Sequence, residues 1–138
     1  DRQALQVHSV DFIFQGGTPN AGAAGALPST QAGLIQVTDL NRGGLVFAND
    51  RALVASGALY EDGGGSFNIE SDLFPDNYGK GSDDGRYVVN DQLYITGRVT
   101  GGTMAADLNV TIRVNASIVT LGAKDFMAIA IQSTAADN

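Results

Sequence analysis

The sequence holds 138 residues, 43% apolar and 17% charged, with no cysteine and a net charge of −7 from thirteen Asp and two Glu against six Arg and two Lys. A chain of this size buries about two-thirds of its unfolded surface without covalent staples, so the composition predicts one folded domain over residues 1–138. Disulfides, thiolate metal centres and cysteine nucleophiles are excluded, the missing basic footprint argues against direct contact with nucleic acid, and no apolar run reaches membrane-spanning length.

Residues 4–15 open as a strand: Leu5 and Val7 share one parity, Val10, Phe12 and Phe14 the other, which predicts a bulge at His8–Ser9. Residues 16–33 carry five glycines and two prolines in eighteen positions and read as a long surface loop. Residues 34–40, 44–48 and 52–60 read as three short strands, separated by Asn41-Arg42-Gly43 and Asn49-Asp50-Arg51, turn residues that tolerate left-handed backbone. The glycines at 63–65 mark a tip, and Phe67 and Ile69 mark another short strand. Residues 73–86 read as a second polar loop. Residues 87–100 read as two strand pieces flanking Asn90-Asp91, ended by Gly101-Gly102.

Residues 108–121 carry the strongest pattern in the chain. Leu108, Val110, Ile112, Val114, Ala116 and Ile118 alternate with Asn109, Thr111, Arg113, Asn115 and Ser117, a strand with one apolar and one polar face. Burying its five large apolar side chains contributes on the order of 8–15 kcal/mol before chain entropy is subtracted. Val119 and Leu121 change the phase, and fourteen extended residues would span roughly 46 Å, so a bend or bulge near residues 117–119 is predicted. After a turn at Gly122-Ala123-Lys124, residues 126–133 are apolar on both parities and read as an interior strand, and residues 134–138 as a tail. Strands separated by turns, without a convincing helix, predict an all-β, single-domain β-sandwich: an eight-stranded jelly roll, with an immunoglobulin-like sandwich as the alternative.

Candidate chemistry is sparse. His8 is the only histidine, with Asp11 three positions on; a triad or an imidazole metal site needs more, so His8 is read as structural or exposed. Glu61 and Glu70 are the only glutamates, and nothing in the pattern sets them across a cleft as glycosidase carboxyls must be. Asp72, Asp76, Asn77, Asp83 and Asp84 supply oxygens in and before the second loop. Asp76, Asp83 and Asp84 are the calcium candidates, against an ordinary turn reading of Asp-Asp-Gly. The glycines near 63–65 and 79–85 do not follow a strand and open a helix, so no phosphate loop is present. Asn109-Val110-Thr111 and Asn115-Ala116-Ser117 are glycosylation sequons by spelling, and they are also what a polar strand face carries. Tyr60, Tyr78, Tyr87 and Tyr94 could stack on sugars, or cover the rim of a core.

The residues an enzyme needs are therefore lacking, and no catalytic residue or cofactor is predicted. A neutral surface of Gly, Ala, Ser, Thr and Asn, with few flexible charged side chains to immobilise, suits association. With this strand pattern the chain resembles the small single-jelly-roll major capsid proteins of tailless, membrane-containing icosahedral viruses. The resemblance is one of pattern along the whole chain, carried by DFIF at residues 11–14, LNVTIRVNASIVTL at 108–121 and DFMAIAI at 125–131. It implies a viral capsid subunit within the virion, with barrels upright and paired as capsomers. Its partners would be copies of itself and other capsid subunits, near an internal membrane without spanning it and with no direct nucleic-acid contact. A head-decoration protein of a tailed phage shares this composition. The alternative from another class is a carbohydrate-binding β-sandwich module, stabilised by calcium and stacking sugars on Tyr60 or Tyr94.

Overall fold

The computed structural model describes residues 2–18, 32–61, 67–71, 81–82, 85–100 and 107–135. The strands are β1 (Arg2–Gln15), β2 (Ala32–Thr38), β3 (Leu53–Glu61), β4 (Phe67–Ser71), β5 (Gly81–Ser82), β6 (Gly85–Val88), β7 (Tyr94–Val99) and β8 (Asn109–Leu121), followed by the helix α1 (Ala123–Ala135). They build two four-stranded antiparallel sheets, ordered β5-β6-β1-β8 and β4-β3-β2-β7. The architecture is mostly β, two sheets face to face, as the alternation predicts.

β1 and β8 pair along their whole length, from Arg2 opposite Leu121 to Gln15 opposite Asn109. The one irregularity falls between Val7 and Ser9, so His8 is the extra residue of a bulge, where the phase change in the sequence places it. The bulge keeps Leu5 and Val7 on the same face as Val10, Phe12 and Phe14, opposite Ile118, Ala116, Val114, Ile112 and Val110. This face meets the other sheet. Val7, Val10, Val37, Val54, Ala55 and Val88 form one buried cluster and Phe14, Ile35 and Leu59 a second, with Phe12 and Ile112 packed against both. Gly57 lets the sheets approach there, since a Cβ at that position would lie 2.9 Å from the Phe12 ring.

A charged pair shares this core. Arg86 on β6 stands opposite Val7 and is fully buried. Its guanidinium crosses to the other sheet: Nη2 donates to Asp39 Oδ2 at 2.7 Å and to Arg51 O at 2.7 Å, and Nη1 donates to Leu53 O. The preceding residue must be glycine. Gly85 has φ +154°, and a Cβ on it would collide with the Val7 carbonyl beside the bulge.

The structure corrects four expectations. Residues 126–133 are helical, not an interior strand. Phe126 N donates to Gly122 O at 3.0 Å, opening α1, and Phe126, Ile129 and Ala130 fall on its more buried side at helical spacing. An apolar run on both parities reads equally as a buried strand or a helix, and the choice is made by what it covers. α1 returns to β1, where the Arg2 guanidinium stands 5.4 Å from the centroid of the Phe126 ring. Arg2, Ala4, Val119 and Leu121 belong to the outer parity of that sheet, so the phase change in β8 marks a change of the covered face. The bend predicted at residues 117–119 is therefore absent: the register with β1 runs through those positions unbroken. Residues 44–48 form no strand, and residues 81–82 and 85–88 of the expected loop are β5 and β6. Most of the loop expected over 16–33 lies outside the described residues, though Ala32 and Gly33 already belong to β2.

Two substitution sets test this fold. Ile112→Asp places a carboxylate in the core and is expected to cost about 3 kcal/mol, while Arg113→Asp, on the exposed face of the same strand and opposite Asp11, costs no more than about 1 kcal/mol, both read by urea unfolding. Asp39→Ala strands the buried guanidinium and is expected to cost about 3–5 kcal/mol, and adding Arg86→Met recovers most of that loss. Equal stability of parent and Asp39→Ala would rule out the cross-sheet pair.

Candidate functional site

Sheet β4-β3-β2-β7 carries a depression on its outer face. β2 turns Ile35 and Val37 inward, so Leu34 and Gln36 face out, and β3 sets Ala58 opposite Leu34 and Ser56 opposite Gln36. Residues 39–52 leave the sheet and fold back over this face. Their base is closed by Asp39 N donating to Ala52 O at 2.9 Å. An ion pair, Arg42 Nη2 to Asp50 Oδ1 at 3.1 Å, braces the interior, and Ala52 N donates to the same Asp50 oxygen at 2.8 Å.

Gln36 holds the returning segment down. Its Nε2 donates to Val46 O at 2.8 Å and its Oε1 accepts from Val46 N at 2.8 Å, so a side-chain amide replaces the neighbouring strand that residues 44–48 do not form. Between this segment and the sheet lies a groove of about 730 Å³, walled by Leu45, Val46 and Phe47, floored by Leu34 and Ala58, with Tyr60 at its rim. Phe47 is 87% exposed. An aromatic ring held out on a braced loop is a contact-making feature, because an unfavourable exposure is built into the fold.

Among the described residues the groove's lining includes no His, Cys, Asp, Glu, Lys or Arg, and the Tyr60 phenol is its one titratable side chain. It suits a neutral, flat or apolar partner. A second, smaller cleft of about 240 Å³ opens between the two sheets, where Phe14, Ile35, Val99, Leu108 and Val110 converge beside Arg98. β7 and β8 thus border the same side of the sandwich.

The residues singled out in the sequence do not gather. His8 sits at the bulge, its Nε2 and Ser117 Oγ 2.8 Å apart in a hydrogen bond whose direction follows the imidazole tautomer. Asp11 stands opposite Arg113 in the register. Glu61 ends β3 and Glu70 stands opposite Ala58, three register positions away. Asn109 Nδ2 donates to Gly16 O at 2.7 Å, and Asn115 is exposed opposite Ser9. Tyr60 and Tyr94 stand opposite Ala32 and Thr38, at the two ends of β2 and roughly 20 Å apart, so they form no single stacking platform. Tyr87 is on β6 opposite Gln6. Tyr78 and the calcium candidates Asp76, Asp83 and Asp84, with Asp72 and Asn77, lie outside the described residues. Among the described residues no three His, Cys, Asp or Glu side chains gather to hold a metal ion.

Sequence reasoning missed Gln36 and Phe47. The available signal was small: Gln36 interrupts an apolar strand, and Leu45-Val46-Phe47 is an apolar triplet between turns, too short to alternate. This chain matches no family model, no curated protein and no solved structure.

The amide clamp has a direct test. Gln36→Ala leaves Val46 without either hydrogen bond and is expected to cost about 1–2 kcal/mol and to speed hydrogen exchange of the Val46 amide. Unchanged exchange at Val46 would mean the segment is held by packing alone.

Proposed function

We propose that this chain is a structural, self-assembling subunit, a viral capsid or head-decoration protein that works through protein–protein contacts within a virion. One observation supports this reading above the others: large apolar side chains stand exposed at several places on a surface sparse in charged side chains. Phe47 on the braced loop, Ile95 on β7, Val114 and Ile118 on β8, and Met127 and Ile131 on α1 all face solvent. An assembling subunit covers such residues with neighbours. The jelly-roll assignment belongs to this proposal. The nested pairs β1 with β8 and β2 with β7 support it, while β3 beside β4 and β6 beside β5 depart from a fully rolled hairpin. Partners are copies of the chain and sister shell subunits, and the acidic balance favours a position away from the genome.

Light scattering against concentration tests the reading. The expected result is a mass that rises above the monomer's 14.3 kDa as concentration increases or as sister subunits are added. A constant monomer mass under all those conditions overturns it.

The groove favours a second reading, a carbohydrate-binding module, because Phe47 and Tyr60 line one depression as stacking rings. It predicts glycan binding that Phe47→Ala weakens about tenfold or more, together with a calcium-dependent rise in melting temperature. An empty glycan screen with no calcium effect removes it.

A further inference from the structure

We propose that two copies of this chain join edge to edge through β8, antiparallel, about a two-fold axis passing through Asn115. The inference rests on the assembly reading above and names the surface that would carry it.

Sheet edges ordinarily defend themselves by being short, charged, or broken by glycine, proline or a bulge. Three of the four edges here do so. β5 has two residues, β4 has five and carries Glu70, and β7 has six interrupted by Gly97. β8 does not. It runs thirteen residues at the end of its sheet, with seven β-branched side chains, no glycine or proline, and one charge, Arg113. Its bulge lies in the partner strand β1, so the outer edge of β8 keeps an unbroken register. Among the described residues no strand pairs with that outer edge.

Charge permits the same strand. Each copy carries −7, so two copies repel over most of their surfaces. β8 has no acidic residue, and its single charge is positive. Two copies can therefore bring this edge together without opposing carboxylates; β7 has the same charge but only six residues, with Gly97 among them.

Geometry then sets the register. Antiparallel edge pairing about an axis normal to the sheet keeps both core faces on the same side. Residues placed opposite each other must then share parity, and the axis must pass through a residue. An axis at Arg113 opposes two guanidiniums. An axis at Val114 or Ala116 leaves two residues of the strand unpaired at one end. Asn115 is the midpoint of Asn109–Leu121, and an axis there pairs all thirteen residues. It sets Arg113 opposite Ser117 and Ile112 opposite Ile118, so Ile118, 73% exposed in the single chain, gains an isoleucine neighbour across the seam. The contact is isologous and closes as a dimer, the unit from which a larger shell can be built.

The absence of native cysteine makes the test clean. Asn115→Cys puts two thiols on the axis with Cα atoms about 4.5–5.5 Å apart, inside the disulfide range, whereas two copies of Thr111→Cys would lie roughly 27 Å apart. Both positions are exposed, and melting temperature verifies that each variant folds. Under mild oxidation Asn115→Cys is expected to form a disulfide-linked dimer at least about tenfold faster than Thr111→Cys. Adding Ile118→Lys, at an exposed site, is expected to reduce it to the Thr111→Cys rate. Equal rates for the two cysteines, or no effect of Ile118→Lys, overturn the interface. If the parent still assembles by light scattering, the β8 seam falls alone; if it stays monomeric, the assembly reading falls with it.

Discussion

Arg86 is the point on which the two sheets are hung together. It occupies a position whose parity belongs to the core, opposite Val7, yet carries a charge that no apolar layer can solvate. The charge is met at the far sheet, where Asp39 and the carbonyls of Arg51 and Leu53 accept from it. Those atoms bracket residues 39–52 at both ends. The same guanidinium therefore sets the spacing of the layers and pins the root of the loop that carries Phe47. Gly85 and the His8 bulge stand beside it, one yielding the space and the other the extra residue that lets β1 keep a single core face. Such a pair contributes little net energy over an apolar replacement. Its effect is to make other arrangements of the sheets costly, since any slip leaves a buried ion alone.

The rest of the surface follows from how little charge remains. With few acidic or basic side chains to spread over the exterior, exposed positions are filled by small neutral residues or by large apolar ones. The latter are not scattered evenly. They fall on the braced loop, on the edge strands bordering the open side of the sandwich, and on the outer side of α1. Ile118 shows why: its parity is that of the core, but it lies on the edge strand at the end opposite the second cluster and is left uncovered. The groove and the open edges are thus two consequences of one economy, a core built by long alternating strands that outrun the sheet facing them.

Alternation made β1, β8 and the bulge at His8 readable, because a parity switch in the residues can only be reconciled with one buried face by inserting a residue. Turn chemistry at Asn41-Arg42-Gly43 and Asn49-Asp50-Arg51 was equally plain, but it does not say whether the piece between two turns finds a strand neighbour. Residues 44–48 did not, and a glutamine amide took that place. Residues 126–133 failed for a related reason. Apolar side chains on both parities satisfy a strand or a helix, and the vacant outer face over Ala4, Val119 and Leu121 decided for the helix. Arg86 looked like part of a polar loop because a charge in sequence carries no mark of the carbonyls waiting for it.

The order of residues by itself determined that this chain is mostly extended, which side of its long strands is dry, and that it holds few groups for bond-making chemistry. Those properties are local, set by side-chain period and by composition. Tertiary structure alone decided which strands became edges, that the last apolar run would coil, that a buried cation would tie the layers, and that Phe47 and Tyr60 would border one groove. Each of these depends on pairing between segments far apart in the chain, and the energy of such pairing resides in neighbours that no single stretch of sequence contains.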